Sequence, residues 1–144
     1  MGTQQILLIV LSVIIVGIAV AVGIAMFNQQ AVNSARNSII ADMNNFASQV
    51  AAYYRTPQSM GGASNTAANV VVTDLQEYLG WGGATMTNEN GTYTLNASDA
   101  SAQVYFTCAA AESGLSGDEP SLGIDCASDF DIQTSMSGGN PFGG

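Results

Sequence analysis

The stretch Ile6 to Phe27, ILLIVLSVIIVGIAVAVGIAMF, decides the fold of this chain of 144 residues. It holds about 22 residues without a charge, and only Ser12, Gly17 and Gly23 interrupt its apolar run. A helix rises 1.5 Å per residue, so the segment spans roughly the 30 Å of a bilayer core. It is therefore predicted to lie in a membrane or to pack against many copies of itself.

Charge is scarce in the rest of the sequence. Charged residues make up 9% of the chain, and the net charge is −9 because 11 acids face only Arg36 and Arg55. Nucleic-acid binding needs Lys and Arg against phosphates, so no nucleic-acid partner is expected. The chain has no His and no Lys. It therefore lacks the commonest general base and the Schiff-base nucleophile, and it is predicted not to be an enzyme.

The helical pattern continues beyond Phe27 but becomes amphipathic. No proline precedes Pro57, and the residue before a proline is biased away from helical angles. The sequence predicts one continuous helix from about Thr3 to about Tyr54, whose second half presents a single apolar stripe to a sheet. That stripe consists of Val32, Ile39, Met43, Phe46, Val50 and Tyr53.

A loop and a short ambiguous segment follow the long helix. Residues 58–69 are small and polar, which is typical of a loop. Residues 70–79 fit a short helix better than a strand, because Thr73 with Gln76 resembles a capping box and Gly80 is a suitable helix stop.

The remainder predicts a small antiparallel sheet, which makes the fold class α+β. Asn90-Gly91 is a hairpin-turn signal between two alternating segments. The predicted strands are residues 84–87, 92–95 and 103–108, with residues 129–134 as a candidate edge strand and a terminal loop after it.

The two cysteines, Cys108 and Cys126, both lie in the last third of the chain. An even cysteine count in a short acidic domain is typical of one disulfide outside the cytoplasm. We predict that disulfide, and the alternative is a pair of buried free thiols.

This order of apolar helix, amphipathic helix, loop, antiparallel sheet and cysteine-bounded C-terminal loop resembles a mature type IV pilin or pilin-like protein. The resemblance covers the whole chain in architecture, and its sequence-specific part is confined to about Met1 to Phe27. It implies three regions: an apolar helix half (1–28), an amphipathic helix half (29–55) and a globular β-rich domain (56–144). The implied function is that of a structural subunit of an extracellular helical filament, or fimbrium, that serves adhesion or motility.

The resemblance also implies a history for the chain. In this family a prepilin peptidase removes a short basic leader and the new N-terminus is methylated, which assigns those events to Met1. The subunit would reside in the inner membrane as a single-pass protein until the pilus assembly machinery adds it to identical subunits. Removal of a basic leader would also reconcile the predicted disulfide with Arg36 and Arg55, which by the positive-inside rule favour a cytoplasmic domain.

Two positions depart from the family pattern. Most members carry Glu at the position of Gln5, where it neutralises a neighbouring subunit's N-terminal amine. An unpaired amine in hydrocarbon is costly, so Thr3, Gln4 and Gln5 together are expected to solvate it. Bacterial members often carry Pro at the position of Val22. Its absence predicts a more continuous helix, as in archaeal-type filaments.

Small residues inside the apolar segment would allow identical helices to approach closely in a filament core. The residues expected to pack there are Ile6, Leu8, Ile9, Val13, Val16, Gly17, Val20, Gly23 and Phe27. Two other functions stay open: a pseudopilin of a secretion machine, and a membrane-anchored extracytoplasmic domain that binds an external ligand.

Other motifs carry weaker signals, and no cofactor is expected. The acidic residues around Cys126 favour a solvated surface, with Asp125, Asp129 and Asp131 as a weak calcium candidate. The triplets that begin at Asn90 and Asn96 match the glycosylation sequon, a pattern that often arises by chance.

Overall fold

The computed structural model describes residues 2–97, 103–127, 130–136 and 138–142. The chain divides into two compact units, Met1–Ser34 and Ala35–Gly144. One long helix is followed by a short helix and a five-stranded antiparallel sheet, so the predicted α+β class is confirmed. The elements are α1 (Gly2–Arg55), α2 (Val72–Tyr78), β1 (Thr85–Thr87), β2 (Gly91–Ala97), β3 (Gln103–Ala110), β4 (Ser121–Asp125) and β5 (Asp131–Ser135).

Helix α1 is continuous from Gly2 to Arg55, as the absence of proline predicts. The chain leaves the helix at Pro57, and residues 57–65 fold back over its last turn. The amide of Ala63 donates to the carbonyl of Tyr53 at 3.2 Å, and the amide of Asn65 donates to the carbonyl of Tyr54 at 2.8 Å. The predicted loop is therefore a cap that supplies hydrogen-bond donors to the last carbonyls of the helix.

Helix α2 confirms the helical reading of the ambiguous segment, but the predicted capping box is wrong. The helix begins one residue before Thr73, and its N-cap residue, Val71, forms no side-chain capping hydrogen bond. Thr73 therefore lies within the first turn, where its hydroxyl is 3.5 Å from Asp74 Oδ1. Gly80 follows the helix with a φ of +72°, a left-handed conformation that glycine adopts at low cost.

The sheet is a meander in which each strand pairs with the next, in the order β1-β2-β3-β4-β5. The sequence did not predict β4. This strand pairs antiparallel with β3, with Gln103 opposite Asp125 and Thr107 opposite Ser121. It separates β3 from the edge strand β5, which begins at Asp131 within the described residues.

The interior of the second unit lies between α1 and one face of the sheet. Phe46 occupies its centre, because its ring contacts Trp81, Tyr93 and Phe106 at centroid distances of 5.3, 5.2 and 5.6 Å. Of the predicted stripe, Ile39, Met43, Phe46, Val50 and Tyr53 are buried, whereas Val32, in the first unit, is half-buried.

The predicted disulfide is wrong: Cys108 and Cys126 are both buried free thiols. Strand register explains the separation. Cys126 follows Asp125, which pairs with Gln103, whereas Cys108 lies five residues further along β3. Five residues of strand span about 17 Å, and a disulfide needs Cα atoms less than about 7 Å apart.

Candidate functional site

The apolar segment of the first unit is uncovered on every side. Its large side chains are between 51% exposed, at Leu11, and 72% exposed, at Phe27. They include Ile6, Leu8, Ile9, Val13, Val16 and Val20 of the predicted filament core. A Cβ built on Gly17 or Gly23 would meet no atom within 4 Å. Within one chain these residues have nothing to pack against.

The polar groups of this segment are satisfied within the helix. Its backbone is helical throughout, and the Ser12 hydroxyl donates to the carbonyl of Ile9 at 2.8 Å. Such a segment can enter an apolar medium without leaving a polar group unpaired. Of the described residues, one helix is long and apolar enough to span a membrane, a criterion of length and composition that a signal sequence also meets.

The residues before the apolar segment are only partly described. Thr3, Gln4 and Gln5 are exposed in the first turns of α1. Met1, the predicted site of processing and methylation, lies outside the described residues.

In the second unit, the polar cluster of Asp42, Asn88, Asn90 and Tyr93 joins α1 to the sheet. Asp42 Oδ2 accepts three hydrogen bonds: from Asn88 Nδ2 at 2.9 Å, Asn90 Nδ2 at 2.7 Å and the Tyr93 hydroxyl at 2.7 Å. Asn88 Oδ1 in turn accepts from the amides of Asn90 and Gly91. One carboxylate thus fastens the helix to the β1–β2 turn and to β2.

The electrostatics of this cluster favour a charged Asp42. Partial burial by itself would raise the pKa of Asp42, but the hydrogen bonds from Asn90, Tyr93 and Asn88 outweigh it and lower that pKa below its ordinary value. Burial and the adjacent carboxylate raise the pKa of Tyr93, so its phenol stays protonated and donates.

The sequence reasoning missed Asp42, although a signal was present. Asp42 is the only acid in the first 55 residues, and it lies between Ile39 and Phe46 on the buried stripe. A lone carboxylate at such a position needs partners from the element that covers it.

The thiols of Cys108 and Cys126 have low reactivity at neutral pH. Burial, followed by the Glu119 charge, raises the pKa of Cys108 to about 11. Burial, followed by the Asp125 charge, raises the pKa of Cys126 to about 11 as well. Because the thiolate is the reactive form, neither residue is placed to act as a nucleophile at neutral pH.

The weak calcium candidate is only partly described. Asp125 and Asp131 are opposite each other on β4 and β5, and Asp129 lies outside the described residues. The oxygens of Asp125 accept hydrogen bonds from Gln103 and from the amide of Ala127. No group of three potential metal-binding side chains occurs in the described part of the chain.

The two sequon asparagines differ in how tightly they are held. Asn90 Nδ2 is bound to Asp42 at 2.7 Å, whereas Asn96 Nδ2 is 3.3 Å from the Thr107 hydroxyl. Ser98 of the second sequon lies outside the described residues.

A groove of about 480 Å³ lies between α2 and the loop that caps α1; we call it the α2 groove. Its floor includes Tyr53, whose ring contacts that of Tyr78 at 5.4 Å. Its polar side carries Asp74 and Glu77, one helical turn apart on α2, and its rim carries Met60, Val71 and Tyr78, which are 43–75% exposed. The sequence reasoning did not identify this feature, because its lining comes from three separate segments.

Comparison of the chain with protein-family models, with curated proteins and with solved structures found no match. The chain combines a long apolar N-terminal helix with an antiparallel sheet, which is the architecture of type IV pilin-like proteins.

Proposed function

We propose that this protein is a structural subunit of a type IV pilus-like filament, in which the segment Ile6 to Phe27 packs against the same segment of other copies. One observation carries the proposal: the segment is apolar and exposed on every face, with its polar groups satisfied inside the helix. Burial of apolar surface is worth about 25 cal/mol per Å², so the segment needs either lipid or other subunits around it.

The second part of α1 favours a filament subunit over a simple anchor. A lone anchor requires only the apolar residues, whereas here the same helix continues without a break to Arg55 and forms one wall of the domain core. The same helix thus supplies residues both to the segment that would assemble and to the domain core. In the proposed sequence of events the segment resides in the inner membrane first and in the extracellular filament afterwards.

Electron microscopy of material sheared from the surface of cells that express this chain tests the proposal. We expect filaments that contain the chain, and we expect Val16→Asp to abolish them, because a charge midway along the apolar segment has no partner there. Val16→Leu is the matched control and should leave the filament yield unchanged. Filaments at normal yield from the Asp variant would refute the assignment of this segment to the core.

The α2 groove supports a second candidate function, a membrane-anchored domain that binds an external ligand. Its volume falls in the range of small-molecule sites, roughly 300–1,000 Å³. This function predicts that shearing releases no filaments and that all of the protein stays in the membrane fraction.

A further inference from the structure

Asn90 is the only asparagine of this chain that a glycine follows. An Asn-Gly pair is chemically labile, because glycine has no Cβ to obstruct the attack of its backbone nitrogen on the preceding side chain. In that reaction the Gly91 nitrogen loses its proton to solvent and forms a bond with Asn90 Cγ, and the Cγ–Nδ2 bond breaks to release ammonia. Water then opens the cyclic imide, which leaves an aspartate or a β-linked isoaspartate at position 90.

Hydrogen bonds of the fold restrain the nitrogen that must attack. The Gly91 amide donates to Asn88 Oδ1 at 3.1 Å, and the Gly91 carbonyl accepts from the Asn88 amide at 2.9 Å. The proton that the reaction must remove is therefore engaged, and Gly91 is held through its amide and its carbonyl. The carbonyl of Asn90 is held as well, because it accepts from the amide of Ala111, just after β3, at 3.0 Å.

The side chain that would be attacked is restrained separately. Asn90 Nδ2 donates to Asp42 Oδ2 at 2.7 Å, and a hydrogen bond to a charged acceptor is roughly twice as strong as a neutral one. The carboxylate also opposes the chemistry, because the attack places negative charge on the Asn90 side-chain oxygen close to a group that is already negative. Ring closure therefore requires a local opening that breaks the contacts made by Asn88 and by Asp42.

We propose that Asn90 is a deamidation site that the polar cluster around Asp42 closes in the folded chain and that unfolding opens. The reaction then records unfolding irreversibly. A carboxylate at position 90 has no hydrogen to donate to Asp42 Oδ2, and two negative charges at that distance disfavour the folded state at neutral pH. Chains that stay unfolded long enough to react are thereby kept from refolding. All of these groups lie within the second unit, so the site is independent of the proposed filament.

Incubation of the purified full chain in detergent at mildly alkaline pH tests the site. One sample is folded, and the other is held unfolded in denaturant. Mass spectrometry of the proteolytic peptide that contains Asn90 follows the gain in mass when the amide becomes an acid. We expect the unfolded sample to react at least about tenfold faster, because the folded chain reacts only from its locally open fraction. Equal rates in the two samples would overturn the proposal.

A variant of the folded chain tests which contacts close the site. Asn88→Ala removes the acceptor of the Gly91 amide and should raise the rate in the folded sample at least about tenfold. A thermal melt shows that the variant is folded at the incubation temperature. The matched control is Glu89→Gln, an exposed change in the same turn, which should react as slowly as the original protein. A folded Asn88→Ala variant that reacts as slowly as this control would overturn the assignment.

The consequence of the modification has a test of its own, because Asn90→Asp reproduces the aspartate product. We expect the melting temperature of this variant at pH 7 to fall by several degrees, since two carboxylates then face each other. Asp42→Asn combined with Asn90→Asp should recover at least about half of that loss, because one carboxylate and one amide again form the pair. An Asn90→Asp variant as stable as the original protein, or a combined variant less stable than Asn90→Asp alone, would overturn the barrier to refolding.

Discussion

Asp42 shows how one side chain can join two elements. It is the only acid of α1, and its Oδ2 atom accepts hydrogen bonds from three groups of the β1–β2 turn and β2. Hydrogen bonds to a charged acceptor are roughly twice as strong as neutral ones. The Asn90-Gly91 turn, which the sequence identified as a hairpin signal, therefore also holds the helix against the sheet.

We expect Asp42→Asn to lower the free energy of unfolding by about 2 kcal/mol, because the three donors lose their charged acceptor. The folded-state pKa of Asp42 is lowered, so the stabilisation is present above the unfolded pKa of about 3.9 and is lost as the pH falls through the folded pKa. Thermal melts of both proteins should differ at pH 7 and converge in acid. The control is Glu89→Gln, an exposed change in the same turn, which should have little effect on the free energy of unfolding. A difference in stability between the original protein and Asp42→Asn that stayed constant down to low pH would contradict the role of the charge.

The cysteines allow a second test at the residue scale. Because Cys108 and Cys126 are buried and unbonded, thiol titration of the unfolded protein should count two free thiols. In the folded protein both should resist alkylation at pH 7, since burial keeps them protonated. Addition of a reductant should leave the melting temperature unchanged, and a drop of several degrees would indicate a bond between them.

Among the elements, β2 and β3 depend on a close approach at Gly91. A Cβ at this position would lie 2.5 Å from the Ala109 carbonyl oxygen and 2.9 Å from Cys108 Sγ. The carbonyl belongs to the paired strand and cannot move without disturbing the sheet. Glycine is therefore required here by the neighbouring backbone.

We expect Gly91→Ala to destabilise the domain by about 2 kcal/mol, because the added methyl group overpacks the β2–β3 pair. Denaturant unfolding followed by circular dichroism measures the change. Gly82→Ala is a suitable control, since a Cβ there meets no atom within 4 Å. Equal stability of the two variants would show that the strand pair yields more easily than the structure indicates.

At the scale of the whole molecule, α1 has two environments in its two units. In the first unit its apolar side chains are uncovered, and in the second its stripe fills the domain core. Assembly and folding should therefore respond to different residues of the same helix.

Phe46 and Phe27 provide the matched pair for this separation. Phe46→Ala removes a buried ring with three aromatic neighbours and should cost the domain about 4 kcal/mol. Phe27→Ala removes a ring that is 72% exposed, so the unfolding free energy of the domain should change by less than about 0.5 kcal/mol. In the proposed filament, only Phe27→Ala should assemble poorly while its domain is fully folded. Electron microscopy measures the assembly of each variant, and thermal melts measure its folding.

Local signals in the sequence were sufficient to determine several features. Helix α1, from Gly2 to Arg55, follows from the uninterrupted apolar run, the later 3.6-residue period and the position of Pro57. The β1 and β2 strands follow from the hairpin signal at Asn90-Gly91 between them, and β3 follows from its own alternating pattern. These features depend on residues that are close together in the sequence, and for that reason they can be read from it.

Only the tertiary structure decided the features that depend on strand register and on contacts distant in sequence. Strand β4 has a short and weak pattern, and its pairing with β3 defines it. The same register separates Cys108 from Cys126, which cysteine count and compartment arguments could not foresee. The partners of Asp42 lie more than 45 residues away along the chain. A local pattern predicts which face of an element is buried, but the groups that meet across the core depend on how the whole chain folds.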